Sequence, residues 1–285
     1  MAPQHLLVKS SPIIAKPFVK WVGGKRRVLP DLLLSLPTTF DHYYEPFVGG
    51  GALFFHLRSL NLLDDHKITL SDINLRLIRT YRAIRDDVDG VIERLEHHKK
   101  NHCRDYFYGV RDVKVDAYQN DADVAAWFIY LNKTAFNGLY RVNKKNRFNA
   151  PMGKYKNPAI CDAANLRNCH TVLQTVELLH TPFDKAPIDA KKDDLVYFDP
   201  PYVPVSATSS FTSYTNEGFG YEEQERLRDV AWMLRRKGVN VMLSNSDHDL
   251  VHDLYQDFDV RQIKVGRAIN CKAGSRGKVG EVIVT

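Results

Sequence analysis

The sequence predicts an α/β fold in which a largely parallel sheet carries helices on both faces. A buried run, Leu195-Val196-Tyr197-Phe198, ends in Asp199, as a strand does where it opens onto a site. A β-type stretch at 43–48 leads through glycines into an apolar helix at 52–57, and a second strand at 68–72 ends in another acid. Strand, glycine turn and helix in this order form the first unit of a Rossmann-like, doubly wound sheet.

The remaining elements follow along the chain. Mixed apolar and polar positions at helical spacing predict helices, and short β-type runs predict strands. The predicted helices span 74–85, 88–100, 106–115, 124–135, 221–237 and 247–255, and the predicted strands span 175–180, 239–244, 260–265 and 279–285. The last two strands are expected to close the sheet as an antiparallel pair. Residues 1–15 are interpreted as a loose arm, 203–220 as a lid over the site, and 270–278 as a phosphate-binding loop.

The turn Asp199-Pro200-Pro201-Tyr202 has the chemistry to bind a planar heterocycle that carries an exocyclic amino group. The prolines fix φ at about −65° and offer carbonyls without N–H groups, so the turn is stiff and rich in acceptors. The two N–H donors would point to the Asp199 carboxylate and the Pro200 carbonyl while the ring stacks on Tyr202. Accepting both bonds turns the nitrogen lone pair towards an electrophile. The alternative is a structural turn in which Asp199 is a cap and Tyr202 packs in the core.

The charge distribution favours a polyanionic partner. The chain of 285 residues has a formal net charge of +6 and 44% hydrophobic residues, enough for a sizeable core. Three blocks contain no acidic residue: 1–30, 124–161 and 260–280 hold six, seven and six basic residues. One such run is usually a solvated face, but three in an otherwise balanced chain indicate nucleic acid.

Several classes of protein are disfavoured by what the sequence lacks. The four cysteines do not have the CxxC spacing of metal sites and are interpreted as reduced structural thiols, so no metal is expected. No signal-peptide pattern stands at 1–11, and no apolar run is long enough to span a membrane. We therefore expect a cytoplasmic protein without a membrane partner.

A basic ribbon at 136–149 is the candidate for reading DNA. β-type residues flank an Asn- and Lys-rich turn, which predicts a β-hairpin. In the major groove, Arg pairs bidentately with guanine and Asn with adenine. The residue types alone leave open a surface hairpin that contacts only phosphates.

These motifs together resemble the Dam family of DNA adenine-N6 methyltransferases, nearest to its DpnII-type GATC enzymes. The resemblance covers nearly the whole chain from residue 16 onwards. It rests on Asp199-Pro200-Pro201-Tyr202, on Phe47-Val48-Gly49-Gly50-Gly51, on Trp21-Val22-Gly23-Gly24-Lys25 and on Asn137-Gly138-Leu139-Tyr140-Arg141. It implies an enzyme that transfers a methyl group from S-adenosylmethionine to N6 of a flipped adenine in double-stranded DNA.

The resemblance also implies roles for individual residues. The catalytic residues would be Asp199, Pro200 and Tyr202. The cofactor-binding residues would be Trp21, Lys25, Phe47, Gly49, Gly51, Asp72, Phe183 and Asp199, with Asp72 on the ribose hydroxyls and Phe183 stacked on the cofactor adenine. The family usually has Asp before this Phe. Here Pro182 replaces it, which removes a carboxylate contact to the adenine amino group but not the stacking.

The same resemblance places DNA contacts on the ribbon, its continuation and the N-terminal segment. These residues are Lys20, Phe136, Asn137, Leu139, Arg141, Pro151 and Tyr155, with Phe136 in the place of an aromatic that inserts beside the flipped base. A target-recognition subdomain at 85–165 would then interrupt a catalytic domain formed by 16–84 and 166–285. GATC as the target follows from the resemblance alone, and a cognate restriction endonuclease would be a genetic rather than a physical partner.

Other activities compete with this interpretation. Methylation of cytosine N4 or of a protein amide is disfavoured, because those enzymes typically carry Ser or Asn where this chain has Asp199. RNA adenine is disfavoured because the narrow A-form major groove does not admit a hairpin. A non-catalytic DNA-binding module and a dinucleotide oxidoreductase remain, and binding of S-adenosylmethionine rather than a nicotinamide cofactor distinguishes the enzyme classes.

Overall fold

The computed structural model describes residues 12–203, 219–265 and 279–285. Most of the predicted arm at 1–15, most of the predicted lid at 203–220 and the predicted phosphate-binding loop at 270–278 lie outside these ranges. Within the ranges, no helix combines the length and apolar character needed to cross a membrane.

In the described part of the chain, seven strands form a single sheet. They are β1 (His42–Glu45), β2 (Lys67–Asp72), β3 (Val176–His180), β4 (Leu195–Phe198), β5 (Asn240–Ser246), β6 (Val260–Val265) and β7 (Val279–Val284). Their order across the sheet is β3-β2-β1-β4-β5-β7-β6, and only β7 runs antiparallel to its neighbours. The predicted Rossmann-like sheet and its antiparallel closing pair are confirmed.

The strand order decides where a site can form. β1 and β4 are adjacent at the centre, and from there the chain builds the sheet outward in both directions. In open α/β sheets, ligands bind at this switch point, outside the carboxyl ends of the strands. The residues at these ends are Glu45 on β1, Asp72 on β2 and Asp199 directly after β4. Three carboxyl groups distant in sequence therefore face the same edge.

Nine α-helices in the described part of the chain connect the strands; seven lie within four residues of their predicted bounds, and those at 29–34 and 163–173 were not predicted. They are α1 (Leu29–Leu34), α2 (Ala52–Ser59), α3 (Leu75–Asp86), α4 (Val88–Asn101), α5 (Arg104–Arg111), α6 (Asp121–Thr134), α7 (Ala163–Leu173), α8 (Tyr221–Arg236) and α9 (Asp249–Leu254). The side chains of Asn74, Asp87, Asn120 and Asp162 accept hydrogen bonds from first-turn N–H groups, which sets where α3, α4, α6 and α7 begin.

The core lies on both faces of the sheet because successive strand residues point to opposite sides. Tyr43 and Tyr197 pack into the cluster under α2, α3, α4, α6 and α7, whereas Tyr44 and Val196 pack against α8 and α9. α6 is buried along almost its whole length, and its aromatics, Trp127 among them, belong to the first cluster, as predicted.

The predicted hairpin is shorter than the sequence pattern indicates. One antiparallel bridge joins Val142 to Phe148, and the Asn143 N–H donates to the Arg147 carbonyl at 2.9 Å. A second bridge joins Ala135 to Met152, next to the end of α6. The basic turn is thus held by isolated bridges rather than by a continuous two-stranded ladder.

Candidate functional site

Asp199 lies at the carboxyl edge of the sheet, between β1 and β5. Its Oδ1 is 2.6 Å from Nζ of Lys25, whose side chain is 5% exposed. The same Nζ donates to the Gly23 carbonyl at 2.8 Å. Burial raises the pKa of Asp199, and the positive charge of Lys25 opposes this shift. Lys25 therefore stabilises the ionised, acceptor form of the carboxylate.

Both the ring and the hydroxyl of Tyr202 have a partner. The Lys25 ammonium lies 4.4 Å from the ring centre, and the hydroxyl donates to Oε2 of Glu281 at 2.9 Å. Burial and the nearby Asp199 raise the pKa of Tyr202 well above its ordinary value, so the hydroxyl keeps its proton. Glu281 was not predicted. The signal available was its place as the first acid after the basic block 260–280.

The turn after Pro200 is fixed by buried polar side chains from β5 and α8. Nε2 of Gln224 donates to the Pro201 carbonyl at 3.0 Å, and the Val203 N–H donates to Oδ1 of Asn245 at 3.1 Å. Asn245 donates in turn to Gln224 at 3.2 Å, and Oγ of Ser246 donates to the Val203 carbonyl at 2.6 Å. All three polar residues are at most 2% exposed. This support makes the acceptor turn rigid, and the sequence did not reveal it.

The glycine loop after β1 adopts a backbone that favours glycine. Gly49 and Gly51 have φ of 47° and 67°. A Cβ on Gly49 would lie 2.5 Å from Cδ1 of the Trp21 indole, and the Gly49 carbonyl accepts from the Tyr81 hydroxyl at 3.1 Å. The loop is therefore a backbone cradle without side chains, closed on one side by a predicted cofactor residue.

Asp72 ties the second strand to this cradle. Its Oδ2 accepts from the Gly49 N–H at 3.1 Å, and its Oδ1 accepts from the Asn74 N–H at 2.9 Å. The residue is 9% exposed, and burial raises its pKa to about 6. A carboxylate beside a glycine cradle at a sheet switch point fits the ribose of an adenosine cofactor. The predicted pair of loop and acid is thus assembled in space.

An aromatic cluster stands next to the cradle. The rings of Phe47 and Phe183 stack with centres 5.2 Å apart, and Phe219 contacts both at 5.6 and 5.7 Å. The guanidinium of Arg226 lies 4.9 Å from the Phe183 ring centre. The structure brings the predicted Phe47 and Phe183 together. Phe219 and Arg226 were not predicted, because nothing local marks them as partners of Phe183.

Glu45 is a third carboxyl group at this edge that the sequence did not single out. It is 2% exposed and accepts from the Tyr43 hydroxyl at 2.8 Å. Burial raises its pKa to about 8, with Asp199 raising it further and Lys25 opposing. Glu45 therefore holds its proton more tightly than an ordinary carboxyl group does. Among the described residues, no group of three His, Cys, Asp or Glu could hold a metal ion.

Five of the seven residues predicted to contact DNA lie together on or beside the exposed segment 136–155. The Phe136 N–H donates to the Pro151 carbonyl at 2.8 Å, which places these two residues side by side. Lys20 reaches the same segment, with Nζ 5.4 Å from the Tyr155 ring centre. Phe136, Pro151, Tyr155 and Asn137 are all exposed.

Arg141 is held in place by the opposite side of the ribbon. Its Nε donates to Oδ1 of Asn149 at 2.7 Å, and its Nη2 donates to the Asn149 carbonyl at 2.9 Å. Arg141 is exposed, whereas Leu139 is half-buried. The guanidinium is thus oriented by two hydrogen bonds before any partner is present.

Arg76 at the start of α3 anchors this ribbon to that helix and was not predicted. Its guanidinium forms a two-point ion pair with Asp116 at 2.7 and 2.5 Å. It also donates to the Tyr140 hydroxyl at 3.2 Å and to the Asn146 carbonyl at 2.6 Å. The Tyr140 ring stacks with Trp21 at 5.9 Å. Trp21 thus contacts both Gly49 of the glycine cradle and Tyr140 of the ribbon, so the two share a support.

Comparison with known proteins agrees on one family. The family of D12 class N6 adenine-specific DNA methyltransferases matches residues 21–269. The Type II methyltransferase M1.LlaDCHI of Lactococcus lactis subsp. cremoris is 43% identical, covering 98% of this chain and 98% of the relative. The Type II methyltransferase M.MjaIII of Methanocaldococcus jannaschii is 41% identical, covering 92% and 95%. The DNA adenine methylase of Escherichia coli strain K12 is 32% identical, covering 93% of each chain.

Proposed function

The chain belongs to the D12 class of N6 adenine-specific DNA methyltransferases, and we propose that it methylates the adenine of GATC in duplex DNA. The methyl donor of this class is S-adenosylmethionine, which supplies an electrophilic methyl group on a sulfonium. The observation that carries the proposal is the rigid acceptor turn Asp199–Tyr202, which follows β4, the strand paired with β1 that leads into the glycine cradle. Lys25 pairs with Asp199, and Trp21, four residues earlier, lies against Gly49 of the cradle.

The proposed cofactor site consists of the cradle and its neighbours. Asp72 would accept from the ribose hydroxyls, and Phe183 with Phe47 would provide the apolar wall for the adenine. Trp21, Lys25, Gly49, Gly51 and Asp199 would complete the site. The fit is supported by the left-handed backbone of Gly49 and Gly51, which turns the loop tightly against Trp21, and by the buried carboxylate of Asp72, which accepts from the Gly49 N–H.

In the proposed reaction, the turn holds and orients the target amino group. The adenine N6 donates to the Asp199 carboxylate and to the Pro200 carbonyl, and the base stacks on Tyr202. Extruding the base from the duplex costs a few kcal/mol, and one base–aromatic stack returns roughly 1–3 kcal/mol. Asp199 acts as a hydrogen-bond acceptor rather than as a strong base. Positioning of N6 in line with the methyl group and electrostatic stabilisation of its developing charge would supply most of the rate enhancement.

The exposed segment would read the target sequence. We assign base contacts to Lys20, Leu139, Arg141, Pro151 and Tyr155. We place Phe136 and Asn137 beside the position in the duplex that the flipped adenine leaves. The paired guanidinium of Arg141 supports direct readout because its orientation is fixed in advance. Target recognition by 85–165 within a catalytic domain of 16–84 and 166–285 is part of this proposal.

Arg141→Ala is expected to relax discrimination at one base pair of the site by about 1–3 kcal/mol, since a bidentate contact to guanine would be lost. The measurement is kcat/KM on a set of duplexes that each carry one altered base pair. Lys144→Ala, in the exposed basic turn, serves as the control: it should weaken all duplexes equally and reduce the salt dependence of binding. An equal loss on all duplexes for Arg141→Ala would make Arg141 a phosphate contact.

Affinity for S-adenosylmethionine is expected to rise about ten-fold between pH 5 and pH 7, because Asp72 with a pKa of about 6 must ionise to accept from the ribose. The raised pKa means that the folded, cofactor-free protein binds the proton more tightly than the unfolded chain. The contribution of Asp72 to the free energy of unfolding should therefore fall as the pH rises from about 4 to about 6. Titration calorimetry across this range measures the affinity. Asp72→Asn should bind more weakly and with no such pH dependence; an unchanged pH profile in that variant would assign the titration to another group.

The proposal extends to the biological setting. We expect the protein on DNA in the cytoplasm of a bacterial or phage-infected cell. Two relatives above 40% identity are named Type II methyltransferases, which favours a genetic pairing with a restriction endonuclease.

Analysis of the methylated nucleoside tests the proposed chemistry. The protein is incubated with unmethylated plasmid and S-adenosylmethionine carrying a labelled methyl group, and the DNA is digested to nucleosides. Label in N6-methyladenine is expected. Label in N4-methylcytosine, or none despite measured cofactor binding, would overturn the proposal.

A further inference from the structure

Asn132, in the last turn of α6, is a buried amide with partners on both functional segments. It is 0% exposed. Its Oδ1 accepts from the Lys20 N–H at 2.7 Å, and its Nδ2 donates to the Lys20 carbonyl at 2.8 Å and to the Gly138 carbonyl at 2.9 Å. One side chain thus joins the backbone of the N-terminal segment to the turn Phe136–Gly138.

The chemistry of this arrangement requires an amide. An Asn side chain has two N–H donors and an acceptor oxygen, and here both donors and the oxygen are used. A carboxylate of the same shape would present an oxygen to two carbonyls, and an apolar side chain would leave three backbone groups without their buried partner. Asn132 therefore specifies the distance between Lys20 and Gly138.

The Lys20 side chain packs directly on the turn that Asn132 holds. Gly138 has φ of 68°, and a Cβ there would lie 2.6 Å from Cδ and 3.1 Å from Cβ of Lys20. Tyr140, two residues after Gly138 in the chain, stacks on Trp21, which directly follows Lys20. Contacts on both sides of Lys20 thus connect it to the ribbon.

We propose that Asn132 is a positioning residue for sequence recognition, which fixes Lys20 relative to the turn Phe136–Gly138 so that both meet the same DNA site. The inference rests on the proposed function, because it takes Lys20 and this turn as DNA-contacting elements. Asn132 itself lies in the interior and contacts no DNA. Its role is to convert two separate segments into one reading surface.

The test compares Asn132→Asp and Asn132→Ala with Thr134→Val. Thr134 lies on the same helix, is 1% exposed, and its hydroxyl donates only within the helix, to the Tyr130 carbonyl at 2.7 Å. It therefore controls for loss of a buried hydrogen bond in α6. Each full-length protein methylates unmethylated plasmid DNA with S-adenosylmethionine, and single-molecule sequencing maps N6-methyladenine at every site. Thermal unfolding of each protein is measured in parallel.

The wild-type map reports the target sequence, and a motif other than GATC would overturn that part of the proposed function without affecting the comparison of variants. In folded Asn132 variants, methylation at sites that differ by one base pair should rise about ten-fold relative to the wild-type motif. Thr134→Val should keep the wild-type ratio. A wild-type ratio in either folded Asn132 variant would overturn the inference.

Gly138→Ala keeps the test decisive if both Asn132 variants fail to fold. It leaves Asn132 intact but forces the Lys20 side chain away from the turn. The same relaxed selectivity is expected from it, and unchanged selectivity would contradict a reading surface set by the spacing of Lys20 and Gly138.

Discussion

Asp199→Ala is expected to abolish measurable methyl transfer, a loss of at least about 10²–10³-fold, while duplex binding stays within a few-fold of the wild type. The Ala side chain cannot accept from the target amino group, whereas the exposed segment that would bind DNA lies elsewhere and is unchanged. Asp199→Asn keeps one acceptor oxygen at the same position, so partial activity should remain. The measurements are single-turnover transfer rates and duplex affinity.

The change also removes the partner of Lys25. An unpaired buried charge destabilises a protein by about 3–5 kcal/mol, so the free energy of unfolding of Asp199→Ala must be measured. Asp229→Ala controls for loss of an acid on the surface, since Asp229 is 69% exposed and should change neither stability nor rate. Loss of DNA binding with retained turnover in Asp199→Ala would contradict the role of Asp199 as the acceptor for the target amino group.

Gly49→Ala is expected to lower affinity for S-adenosylmethionine by more than about ten-fold. The left-handed backbone alone costs Ala about 1–2 kcal/mol, and the new Cβ would overlap the Trp21 indole at 2.5 Å. Displacement of Trp21 would also disturb its stacking with Tyr140, and with it the ribbon. Titration calorimetry with the cofactor and chemical denaturation measure the two effects.

Gly109→Ala is the matched control for this change. Gly109 lies in α5, a Cβ there meets nothing within 4 Å, and Ala should raise the free energy of unfolding by about 0.5–1 kcal/mol. Cofactor affinity should be unchanged. Wild-type affinity in Gly49→Ala would show that the loop does not enclose the cofactor.

The sequence predicted those parts of the site that depend on short, local sequence patterns. The glycine loop follows β1 directly, Asp72 ends β2, and Asp199 follows β4, so each could be placed at a strand end. Strand order then brings these ends together, because parallel strands share one carboxyl edge. The resemblance added the candidate roles of Trp21 and Lys25.

The supports of the site could not be predicted, because they depend on side chains distant in sequence. The place of Glu281 after the basic block marks it but does not indicate that it holds the Tyr202 hydroxyl, and nothing near Gln224 indicates that it holds the Pro201 carbonyl. From the sequence alone, Arg76 is likewise expected to be an ordinary exposed residue on a helix. The hairpin is shorter than its residue types predict: two backbone hydrogen bonds flank its one bridge, and side-chain bonds from Arg141 to Asn149 and from Arg76 to Asn146 supplement them.

The most direct test of the central claim is transfer of labelled methyl from S-adenosylmethionine to two duplexes that differ only by GATC in one and GTTC in the other. Label on the GATC duplex alone, recovered as N6-methyladenine, is the expected result. Equal label on both duplexes would contradict the assigned recognition while keeping the chemistry. Label on neither duplex, with cofactor binding demonstrated, would contradict GATC as the target.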